Sequence, residues 1–80
     1  MTEYTVVLPC RLGDAVYYIN GDKRFYITVH EVKGFRINEK GLQLDLNGFQ
    51  LYYPNERLFF SRKAAIEDLY RRLTNENIRY

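Results

Sequence analysis

The chain has 80 residues, with two prolines, no tryptophan, one cysteine and one histidine, and the scarcity of the last two closes off function classes. Cys10 has no second cysteine to pair with, and small secreted domains usually need several disulfides, so the expected compartment is a reducing cytoplasm. A zinc centre takes about four clustered ligands. Cys10 and His30 cannot supply them, and no metal or cofactor is expected. A Cys–His dyad would need an orienting motif around it. None is present, so Cys10 reads as a small hydrophobe and His30 as a polar residue at a bend. No run approaches the roughly 18 apolar residues of a membrane span, and Met1-Thr2-Glu3-Tyr4 lacks the basic and apolar regions of a signal peptide. A soluble protein without membrane contact is expected.

Charge of one sign is also scarce. Twelve Lys and Arg face ten Asp and Glu, a net +2, whereas proteins that live on phosphate backbones carry a large basic excess. The excess lies within residues 61–80, which hold five basic and three acidic side chains. There is no Gly-rich phosphate loop, no Gly-x-Ser-x-Gly and no His-Glu-x-x-His. The carboxylates Glu67 and Asp68 stand one helical turn before Arg71 and Arg72, the pattern of a salt-bridged face rather than of an acid–base pair. No catalytic residue is assigned, and the chain reads as a non-enzyme.

What the chain does have is aromatic side chains: eight Tyr and five Phe. A domain this short buries only about 60–65% of its unfolded surface, so a thin core must be built from large rings and branched residues. Turn signals divide the chain. Thr5 to Pro9 is a short apolar run that reads as a first strand, broken by Arg11-Leu12-Gly13-Asp14. Ala15 to Asn20 is dense in β-formers and ends at Asn20-Gly21-Asp22-Lys23, which predicts a hairpin. Arg24 to Asn38 slips phase at His30-Glu31 and again at Gly34, as in a strand bent by bulges. Glu39-Lys40-Gly41 is a three-residue turn. Asn47-Gly48 is a two-residue turn that pairs Leu46 with Phe49, Leu44 with Leu51 and Leu42 with Tyr53 on one face.

Leu58-Phe59-Phe60 leads to Ser61, a good N-cap, and a helix of about 62–74 follows with Ile66, Leu69, Tyr70 and Leu73 as its apolar stripe. The whole reads as one domain over residues 1–80. The expected fold is mainly β: a small SH3-like β-barrel, or a strongly curled antiparallel sheet of about five strands, with one C-terminal helix.

Gly13-Asp14, Val16-Tyr17-Tyr18-Ile19 and Leu58-Phe59-Phe60-Ser61-Arg62 with Ala65 and Leu69 together resemble a family of small SH3-like-barrel proteins encoded in prophages and mobile elements of Gram-positive anaerobic bacteria. The likeness runs from about residue 13 to 73. It implies a setting, the cytoplasm of a bacterial host, more than a mechanism. Members of that family place two acidic residues after the Arg that starts the helix. Here Lys63-Ala64 stand there instead.

A first hairpin turning at Gly21-Asp22 would put Val16 and Tyr18 inward with Phe25 and Ile27. Tyr17 and Tyr26 would then share the outer face with Arg24, Thr28 and His30. Such a face is either covered by the chain's own helix or N-terminal strand, or offered to a partner, since exposed Tyr and Arg are enriched in interface hot spots. The candidate binding residues are Tyr17, Tyr26, Arg24 and Tyr52, with Arg62 and Lys63 at the basic helix start. A protein partner is the leading expectation, in the form of a phage or mobile-element factor that modulates a host protein such as a defence component. Nucleic acid is the alternative, since aromatic rings stack on bases. A self-assembling or structural phage component is the third.

Overall fold

In a computed structural model that describes residues 7–78, with side chains over 7–74, the chain forms five antiparallel strands and one C-terminal helix. The strands are β1 (Ala15–Asn20), β2 (Tyr26–Asn38), β3 (Gly41–Leu46), β4 (Phe49–Tyr53) and β5 (Leu58–Phe59), and the helix α1 spans Arg62–Ile78. They build one sheet in the order β4-β3-β2-β1-β5. The sheet curls strongly into a half-barrel whose two edges, β4 and β5, do not pair with each other. The mainly β class is as expected, in its curled-sheet form. The strand expected at Thr5–Pro9 falls partly outside the described residues, and Val7–Pro9 are irregular.

The long strand β2 makes the curl. Its first half pairs with β1, from Asn20↔Tyr26 to Ala15↔Glu31, and its second half with β3, from Val32↔Leu46 to Asn38↔Gly41. The register shifts between Val32 and Gly34, where one extra residue bends the strand. Gly34 itself avoids the left-handed region, and an added Cβ would make only ordinary contact with Asp45, so the bulge does not depend on glycine. The second phase slip, at His30-Glu31, does not occur: pairing runs regularly through it. The apolar residues simply change face there. Val16, His30 and Val32 look inward, whereas Ile19, Ile27 and Val29 lie on the opposite face.

The inner face holds the main core, Val16, Val32, Leu44, Leu46, Leu51 and Leu58, with Cys10, Tyr18, Phe35, Leu42 and Phe49 packed around it. The three pairs expected across Asn47-Gly48 all form, and Leu44 is fully buried. Glu39 and Lys40 form a two-residue turn rather than a three-residue one, because Gly41 already pairs with Asn38.

The helix starts where expected, with the Ala64 amide donating to Ser61 Oγ at 3.2 Å. It packs on β1, β2 and β5. It does so, however, through a different face from the expected one. Ala65 and Asp68 are buried, Leu69 and Arg72 half-buried, at spacings i, i+3, i+4 and i+7. Ile66, Tyr70 and Leu73 are exposed by 45, 74 and 43%. The small Ala65, with no accessible surface, lets the helix come close to the sheet.

Substitutions on the two helix faces should separate accordingly. Ala65→Leu should overpack the interface and cost about 1–3 kcal/mol, while Ile66→Ala should stay within about 0.5–1 kcal/mol. Chemical denaturation of both variants checks the assignment. The reverse order would mean that the helix docks through Ile66.

Candidate functional site

The first hairpin dissolves the expected tyrosine pair. Its loop is five residues, Gly21 to Phe25, rather than a two-residue turn, so the register changes by an odd number and alternate side chains exchange faces. Tyr17 stands opposite Val29 and Phe59 on the face of Ile19, half-buried on the helix side. Tyr26 stands opposite Asn20 on the other face, exposed. Arg24 is exposed in the loop between them. These three residues form no common surface.

The loop is held from a distance. Gly21 has φ 97°, and a Cβ there would fall 1.9 Å from the Arg24 carbonyl oxygen, so only glycine fits. Arg57 Nη1 donates to the carbonyl oxygens of Gly21 at 2.6 Å and Ile19 at 3.2 Å, and its guanidinium lies 5.7 Å from the centre of the Phe25 ring.

His30 and Thr28, expected outward, face inward with Val16. Asn20 Nδ2 donates to Thr28 Oγ1 at 2.8 Å, Thr28 Oγ1 lies 2.7 Å from His30 Nε2, and His30 Nδ1 lies 3.2 Å from the Asn47 carbonyl oxygen. The carbonyl can only accept, so Nδ1 carries a proton and donates to it; in the neutral ring Nε2 then accepts from the Thr28 hydroxyl. The ring also sits edge-on to Phe49, 4.6 Å between centroids. Every group in this ladder is used to bind β1, β2 and the Asn47 turn together. The Cys10 thiol is pushed up by burial and by the nearby Asp14 carboxylate, which leaves it protonated and a poor nucleophile. Among the described residues no three His, Cys, Asp or Glu side chains cluster in a way that could hold a metal ion.

Tyr52 lies on the outer face of β4, its hydroxyl accepting from Asn38 Nδ2 at 3.3 Å. It is far along the sheet from the helix, which touches β1, β2 and β5.

Arg62 and Lys63 are brought together with Ile66, which periodicity places in the buried apolar stripe of the helix. They line a shallow, largely apolar depression with Ile66 and Glu67, and Tyr70 and Leu73 continue the exposed stripe at i+4 and i+7 from Ile66. Neither cation makes an ion pair among the described residues, and the first helical turn contains no acidic residue. Both stand at the positive end of the helix dipole, each placement unfavourable by about 0.3–1 kcal/mol.

The other helix cations, Arg71 and Arg72, share one carboxylate. Asp68 binds Arg71 and, at 2.5 Å, Arg72, whose Nη2 also donates to the Glu56 carbonyl oxygen at 3.2 Å. Glu67, expected to pair with Arg71, does not. Burial pushes the Asp68 carboxyl up, but the hydrogen bonds and charges of Arg72 and Arg71 outweigh it and hold the group below the ordinary carboxylate value. Comparison with protein-family models, with curated proteins and with solved structures returned no match.

A carboxyl whose pKa is lower folded than unfolded adds stability above the unfolded value, about 3.9, and loses it as pH falls through the lowered value. Asp68→Asn should therefore destabilise by about 1.5–3 kcal/mol near neutrality, and its deficit against wild type should shrink at the acid end. Melting curves from about pH 6 to about pH 2.5 check this. A deficit that stays constant across that range would show that the ion pair does not contribute.

Proposed function

We propose that the protein is a non-enzymatic protein-interaction module whose contact surface is the outer face of the helix. One observation carries the reading: Ile66, Tyr70 and Leu73 form an apolar stripe at helical spacing that the fold leaves in solvent, beside Arg62 and Lys63. A helix face of this kind fits a partner that is apolar at its centre and acidic at its rim. The partner's carboxylates would offset the two cations that the helix dipole disfavours. The setting we propose is the one implied by the sequence resemblance, a phage or mobile-element factor that binds and modulates a host protein. Nucleic acid is supported less, because Asp68 binds both Arg71 and Arg72, two of the five cations in residues 61–80, and cancels one of their two charges.

Tyr70→Ala and Lys63→Glu are expected to melt close to wild type, as surface substitutions do. Partner captured from host lysate and then purified should bind each of them at least about 2 kcal/mol more weakly, roughly 30-fold. Folded variants that bind this partner as well as wild type would move the site elsewhere. Binding to random DNA or RNA that falls steeply with salt would replace the reading with a nucleic-acid one.

A further inference from the structure

The edge strand β4 carries none of the devices that normally keep a sheet edge from pairing. It is five residues, Phe49-Gln50-Leu51-Tyr52-Tyr53, with no charged side chain, no internal proline and a register against β3 without bulges. Among the described residues its backbone pairs with β3 alone, and the helix does not pack on it. The opposite edge is different: β5 has two residues and lies under the helix.

Hairpin geometry states which backbone groups this edge offers. Leu46 pairs with Phe49 across a two-residue turn, so those two exchange both of their hydrogen bonds, as do Leu44 with Leu51 and Leu42 with Tyr53. The N–H and C=O groups of Gln50 and Tyr52 therefore point away from β3. These two residues sit symmetrically about Leu51. An antiparallel second copy with its two-fold axis at Leu51 would place Gln50 of one chain against Tyr52 of the other, twice, and close four backbone hydrogen bonds.

The side chains fit the same symmetry. On the inner face Leu51 would meet the second copy's Leu51, and Phe49 would meet its Tyr53. Tyr53 already lies in an apolar row with exposed Ile37 and half-buried Leu42, and its ring packs on Phe60 at 5.7 Å between centroids. No like charges face each other on the paired strands, and a net charge of +2 per chain sets up little long-range repulsion. An extended segment of an unrelated protein could use the same hydrogen bonds, but only a copy also matches the side-chain order.

We propose that β4 is a self-pairing edge through which two copies of this chain form an antiparallel dimer with one continuous ten-stranded sheet. The contact is one short strand pair, small beside the about 1,200–2,000 Å² of stable interfaces. Monomer and dimer should therefore exchange with concentration. This inference is independent of the helix surface.

Sedimentation velocity of the full chain from about 10 µM to about 1 mM should show a shift from monomer to dimer. Over the same range the Gln50 and Tyr52 amides should become protected from hydrogen exchange. Gln50→Pro removes an outward N–H that β3 does not use, and Gln50→Lys puts a charge on the edge. Each should reduce dimerisation at least tenfold with far-UV circular dichroism unchanged, and the lysine variant serves if the proline variant fails to fold. Tyr70→Ala should dimerise as wild type does. A chain that stays monomeric throughout, or amides at 50 and 52 that exchange as freely at high concentration as at low, would overturn the proposal. So would a dimer lost in Tyr70→Ala and kept in Gln50→Lys.

Discussion

The structure depends on one strand serving two half-sheets. At Glu31 and Val32, β2 passes from β1 to β3, and both neighbours are bonded to it at that point. The Val32 amide donates to the Asp14 carbonyl, the Gly13 amide to the Val32 carbonyl, and the Asn47 amide to the Glu31 carbonyl, all at 2.8–3.1 Å. The extra residue just beyond turns the second half of the strand out of the plane of the first. Val16 and Leu58 on one wing are thereby brought against Leu44, Leu46 and Leu51 on the other. A straight β2 would leave these residues on a flat face exposed to water, so the thin core exists only because the strand is bent. The Gly13-Asp14 pair has its reason here as well. Asp14 Oδ2 accepts from the Arg11 amide at 2.9 Å and shapes the turn that delivers both backbone groups to Val32.

With the inner face closed over this core, the outer face is left with few apolar residues, and the helix docks accordingly. Ile19 is fully buried outside the main core, and Ala65 is the fully buried residue of the helix. Half-buried Leu69 joins it, and the rest of the attachment is polar: Asp68 pairs with Arg72, which reaches the Glu56 carbonyl before β5. A helix fixed by Ala65, by Leu69 in part and by a bridged arginine does not need Ile66, Tyr70 and Leu73 in the interface. They are free to turn to solvent, at a rotation of the helix that periodicity alone would not select.

What could be read from the sequence divides along the same physical line. The Asn47-Gly48 hairpin was legible because loop length, alternation and three apolar pairs admit one register. The Ser61 cap and the bend near Gly34 were legible because their causes are local. The first hairpin was not, because its five-residue loop is closed by Arg57, 36 and 38 residues beyond the carbonyls it binds. A dipeptide turn signal carries no trace of that contact, and the one odd step in register it causes parted Tyr17 from Tyr26. The helix stripe misled for a related reason. A count of apolar residues at i, i+3, i+4 and i+7 gives no weight to Asp68 and Arg72, which dock because they satisfy each other. Arg62 and Lys63 were found by their charge, but their apolar neighbours were hidden inside the presumed core.

The two surfaces that remain each break a rule the rest of the chain keeps. Elsewhere turns carry the residues their geometry needs and the inward polar residues are bonded to one another. At the helix start, cations stand where the dipole favours anions, and at β4 an edge stands without charge, proline or bulge. Neither departure is required by the fold. The bend in β2 and the packing of Val16, Leu44 and Leu51 would be served equally by an acidic residue at position 63 or a lysine at position 50. Sequences tend to be locally consistent except where another demand acts on them. These departures lie on separate wings of the half-barrel, one on the helix beside β1 and β5 and the other at the β4 edge. A chain paired through β4 would therefore keep the outer face of its helix free, so the two surfaces do not compete for the same part of the molecule.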